Sequence, residues 1–113
     1  MKLLTAAITN QLEKNPLYSG ESKNVVPVIV KFFAPWSGYT LYVIEGEPVV
    51  NEDGSKDWKF FGLVTGLHED ELGYTMLSEL ESIRGRFGLK IERDMHFSDM
   101  VLDKTTNEVR RAS

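Results

Sequence analysis

Apolar residues recur at Leu3, Leu4, Ala7, Ile8 and Leu12, the spacing of one helix face. Either Thr5 caps that helix, with residues 2–4 as lead-in, or the helix begins earlier; Asn15-Pro16 closes it, because the residue before a proline avoids the helical region. A polar loop over 18–24 follows. Residues 25–33, VVPVIVKFF, are dense in β-branched and aromatic side chains and predict a strand, with Pro27 at its start or on a sheet edge. Residues 34–38 turn the chain. A second strand is expected over 39–47, with Tyr39, Leu41 and Val43 on one face and Thr40, Tyr42 and Ile44 on the other. A loop over 48–57 holds a turn at 51–54, and a third strand over 58–65 has a core, FFGLV, that reads as buried on both faces. The short connections predict an antiparallel meander.

After a turn over 66–71, Leu72 to Leu77 reads as a fourth short strand. Ser78 and Glu81 have the spacing of a capping box, and the helix they open ends at Gly85 after about two turns. Residues 88–94 read as extended, and 97–102 as one more helical turn capped by Ser98. Residues 104–113 are polar and expected to fray. The expectation is one α+β domain over 1–113. It has an antiparallel sheet of three or four strands, with the N-terminal helix and the short helix after Ser78 packed on it.

Composition narrows the function. A length of 113 residues suffices for one modest core without disulfides or metal. The chain has no cysteine, which excludes a disulfide framework, a thiolate zinc site and a cysteine nucleophile. No apolar run approaches the roughly 20 residues of a membrane helix, and the N-terminus is a poor signal peptide, so a cytoplasmic protein is expected. Net charge is −4, unevenly spread: +2 over 1–44, −8 over 45–81 and +2 over 82–113. The acidic middle disfavours a phosphate backbone as partner and suits either a solvated face or contact with a basic protein.

Candidate chemistry is sparse. His68, Glu69, Asp70, Glu71, Asp94 and His96 include metal-ligand types but no ligand spacing, so a solvated turn is the simpler reading and no metal or cofactor is expected. Glu79 and Glu81 point in different directions on a helix and make no shared-proton dyad. Glu92, Arg93 and Asp94 suit local ion pairs. Trp36, in a turn, is either a partner anchor, with Tyr39 beside it, or a ring folded back over the sheet. Arg84-Gly-Arg-Phe-Gly88 either forms an anion-binding turn, with Arg93 joining Arg84 and Arg86, or supplies glycines for a helix end. No nucleophile motif is visible.

Several strings resemble an uncharacterised small bacterial family found on plasmids, phages and integrative elements. They are Leu3-Leu4-Thr5, Pro16-Leu17-Tyr18, Val30-Lys31-Phe32-Phe33, Phe60-Phe61-Gly62-Leu63-Val64, Glu71-Leu72-Gly73-Tyr74, the Ser78–Glu81 box, Arg84-Gly85, Gly88-Leu89 and Ile91-Glu92-Arg93-Asp94 with Phe97. The likeness runs to about Leu102. It departs at Gly38-Tyr39-Thr40-Leu41-Tyr42, where the family pattern is richer in tryptophan, so no family role for that strand carries over. The resemblance implies no catalytic residue. It implies a mobile-element accessory protein, encoded near antirestriction and single-stranded-DNA-binding functions.

The leading expectation is a non-catalytic protein-binding module, an antagonist of a host defence complex of the antirestriction or anti-CRISPR type. Its contact residues would be Trp36, Tyr39, Glu69, Asp70 and Glu71. The alternative is a phosphate- or nucleotide-binding protein or hydrolase using Arg84, Arg86 and Arg93. Direct DNA binding through Lys104, Arg110 and Arg111 is disfavoured by the acidic centre.

Overall fold

A computed structural model describes residues 2–112. Helix α1 spans Ala6–Glu13, and the Thr5 hydroxyl accepts the Ile8 N–H at 3.3 Å, as its capping role predicts. Strand β1 is Val25–Pro27 and β2 is Val30–Phe33. The run expected as one strand therefore divides. Val28 donates to Met100 of one sheet and Ile29 to Val43 of another, so the chain changes sheets within two residues. Pro27 lies on an edge strand, where its missing donor costs nothing.

Strand β3, Thr40–Val50, and β4, Lys56–Thr65, form a longer hairpin than expected, because its loop shrinks to 51–55. Pro48 enters β3 because β2 covers that strand only as far as Val43. A bulge at Ile44 breaks the alternation: Val43 pairs with Gly62 and Glu45 with Phe61. Strand β5, Glu71–Met76, matches the expected fourth strand within a residue. Helix α2 is Leu77–Ser82.

The capping arrangement differs from the expected one. Glu79, not Glu81, accepts a backbone N–H, that of Met76 at 3.0 Å. Ser78 is engaged elsewhere, giving both its N–H and its hydroxyl to Asp57. A single 3-10 turn follows at Arg86–Gly88, then β6, Glu92–Arg93.

The C-terminus overturns two expectations. Residues 97–102 hold no helix; Met100–Asp103 is strand β7, entered through Asp99 at φ 52°. The segment expected to fray contains β8, Glu108–Arg111. Its polarity suits an edge strand, and Val109 packs inward opposite Leu102. Ser113 lies outside the described residues.

The result is α+β, with two sheets rather than one. The five-stranded sheet has the order β5-β4-β3-β2-β6, and the smaller has β1-β7-β8. Leu12 of α1 and Leu80 of α2 cover one face of the larger sheet, packing on Val30, Phe32, Leu41, Val43, Phe60 and Ile91. The smaller sheet covers part of the opposite face through Val26, Val28 and Leu102 against Ile44 and Leu63. No helix among the described residues is long and apolar enough to cross a membrane.

Candidate functional site

The most unusual surface lies just beyond α2. Arg84 closes the helix by donating from Nη1 to the carbonyls of Glu81 at 2.6 Å and Ile83 at 3.0 Å. The chain then folds into a finger. Arg84 bridges Lys90, Gly85 N–H donates to Leu89 at 2.7 Å, and Gly88 and Leu89 donate back to Gly85 and Arg86. Phe87 sits at the tip with φ 58° and is 99% exposed. A phenylalanine held in the left-handed region with its ring in water is doubly unfavourable for folding.

Trp36 supports this finger. A Cβ placed on Gly85 would lie 2.1 Å from the indole ring, so only glycine lets the finger press onto it. Trp36 is half-buried and packs on the main core, and Tyr39 does the same. Burial first, then the charge of Glu79, pushes the Tyr39 phenol up, against a hydrogen bond with Thr75.

Glu69, Asp70 and Glu71 are exposed where β4 turns into β5. This turn meets the Trp36 turn where Gly66 lies against Gly38. The aromatic and acidic candidates therefore share one end of the larger sheet. The three arginines do not converge on one anion. Arg84 serves the end of α2, and Arg93 Nη1 donates to Lys2 at 2.6 Å and Leu3 at 3.4 Å, strapping the N-terminus to the sheet edge. Arg86 is exposed beside Phe87. Asp94 pairs with Lys31 at 3.4 Å rather than with Arg93. Among the described residues, no three histidines, aspartates or glutamates gather as metal ligands would.

Two buried carboxylates were not singled out from sequence. Asp57 accepts from the Ser78 N–H and hydroxyl, from the Trp58 N–H at 2.8 Å and from the Asn51 amide at 3.2 Å. Burial alone would raise its pKa. The hydrogen bonds, led by the Ser78 hydroxyl, outweigh burial and hold it below the ordinary carboxylate value. Glu45 likewise accepts from Tyr18 and Gly20, each at 2.8 Å, pinning the loop that follows α1. These acids serve the fold. Phe87 carried a sequence signal, an aromatic residue between Arg86 and Gly88 in a glycine-flanked turn, but its exposure did not follow from that pattern.

Residues 3–107 match the model of a protein family described as a protein of unknown function, DUF2958. The chain belongs to this family. The match includes the finger and β5 and ends at Asn107, before β8. No curated protein and no solved structure matches the chain.

Proposed function

We propose that this protein is a non-catalytic binding module that inserts Phe87 into an apolar pocket of a partner protein. The carrying observation is that ring, 99% exposed on a braced finger. A side chain that contributes nothing to the core, carried on a backbone already fixed by hydrogen bonds, spares the backbone part of the ordering entropy on docking. Arg86 and Lys90 flank it and are exposed, so a pocket with an acidic rim suits it. Trp36 acts as the finger's support beneath Gly85. The mobile-element setting implied by the resemblance makes a host defence complex the first partner to test, with the chain acting by occupying one of its surfaces.

The experiment compares wild type with Phe87→Ala in affinity capture from host cells, read by mass spectrometry. The substitution is expected to leave folding intact and to lose the partner that wild type enriches. Equal enrichment by a folded variant would refute the reading.

A further inference from the structure

The sheets differ in how their edges are protected. β1 carries Pro27, β8 carries Arg110 and Arg111, and β6 is two residues long. β5 is the exception: it is six residues, ELGYTM, without proline, lysine or bulge.

In an antiparallel sheet alternate residues turn their N–H and C=O to opposite sides. The Met76 N–H goes to the Glu79 carboxylate, so Met76 faces away from β4. Leu72 and Tyr74, at the same parity, also face outward. Val43 gives the same answer from across the sheet. Its carbonyl turns to Ile29, so its partner Gly62 turns to Gly73 of β5, and the residues on either side of Gly73 point out. The two ends of this outer edge are capped by side chains, Asn107 on the Asp70 carbonyl at 3.3 Å and Glu79 on the Met76 N–H. Between the caps, the N–H and C=O groups of Leu72 and Tyr74 turn away from β4, and no backbone hydrogen bond among the described residues takes them up.

The flanks of that window have a definite chemistry. A recess of about 390 Å³ lies beside it, lined by Val64, Leu67, Leu72 and Tyr74 together with Glu69 and Glu71. Leu67 is 65% exposed and Tyr74 48%. A Cβ on Gly73 would meet nothing within 4 Å, so the sheet face over this residue is uncovered. Glu69, Asp70 and Glu71 are exposed at one end, and Glu79 at the other. The cation beside them, Lys59, is drawn over the Tyr74 ring at 4.6 Å.

We propose that the outer edge of β5 takes up a short extended segment of a partner protein, apolar and basic residues alternating, as an added strand. Hydrogen bonds to Leu72 and Tyr74 fix its register. Its apolar side chains enter the recess beside Leu67, and its basic ones meet the acids at the two ends. A second copy of the chain is a poor occupant. Antiparallel self-pairing would set Glu71 against the partner copy's Glu79 end, and parallel pairing would stack the acidic triads. Phosphate meets the same repulsion. The inference rests on the reading of the chain as a protein-binding module, but it uses none of the finger's residues.

The test is a titration of ¹⁵N-labelled protein with three capped octapeptides: alternating valine and lysine, the same sequence with alternate backbone nitrogens methylated, and alternating valine and glutamate. The lysine peptide is expected to shift the amides of residues 71–76 at sub-millimolar concentration. It should bind at least tenfold more tightly than either of the others, and Phe87→Ala should leave this unchanged. The Glu69→Lys, Asp70→Lys, Glu71→Lys variant should lose at least tenfold while keeping its spectrum. Equal binding of the methylated peptide would reduce the effect to charge and overturn the proposal. So would shifts confined to other strands, no shifts at millimolar peptide, or preferential shifts of β5 by an oligonucleotide. Loss of binding in Phe87→Ala would place the peptide on the finger instead.

Discussion

The two ends of α2 break opposite rules. At its start the carboxylate of Asp57 is buried; at its end the ring of Phe87 stands in water. Asp57 is surrounded by donors from three segments, the 51–55 loop, β4 and α2, so the fold depends on it. Phe87 touches no core, and the fold must tolerate it. An unusual residue whose partners lie inside the molecule is explained by stability; one whose partners are missing calls for a second molecule.

The largest effect is expected at Asp57. Replacing Asp57 with Ala strips the Ser78, Trp58 and Asn51 donors of their acceptor and is expected to cost about 3 kcal/mol in urea unfolding. A loss under about 0.5 kcal/mol, the range of ordinary surface changes, would remove the corner's structural role. Acid tests the same site without mutation. The folded pKa of Asp57 lies below its ordinary 3.8, so its contribution is complete above that pH and fades as pH falls below it. In Asp57→Asn that portion of the acid dependence should vanish.

Gly85→Ala comes next. The added methyl group meets Trp36 and should cost about 1–3 kcal/mol, as overpacking does. A change in tryptophan fluorescence should accompany the loss, since the ring must move. Phe87→Gly should hold stability or raise it by up to about 1 kcal/mol, because glycine accepts φ 58° without strain. A clear drop in melting temperature would mean that the ring supports the fold after all. The smallest expected effect is that of inorganic phosphate or nucleotides on melting, below about 1 °C, because Arg84 and Arg93 already donate to backbone carbonyls. A shift of several degrees would restore the anion-binding reading.

What could be read from the sequence followed local rules. The Thr5 cap, the strands around Leu41 and Phe60 and the strand at Leu72 each rest on a nearby pattern, and each is present. The errors needed distant information. Nothing within residues 25–33 tells that Val28 bonds to Met100 while Ile29 bonds to Val43. Residues 108–111 look like a tail until Val109 is set opposite Leu102. Ser78 and Glu81 had the capping spacing, but Asp57, 21 residues earlier, took Ser78. For the candidate surfaces, the acids at 69–71 were legible because charge in a turn stays exposed. The outward edge of β5 depends on hydrogen-bond parity across the sheet, which a single strand's residues do not encode.

The change of sheet at Val28–Ile29 also bears on how the molecule comes apart. One continuous stretch of backbone supplies a strand to each layer, so neither layer can slide or peel without dragging the other by a covalent link shorter than a helical turn. Amide exchange at Phe32 and at Leu102 should therefore report a single opening event, and a cut in the backbone between 28 and 29 should turn that one event into two.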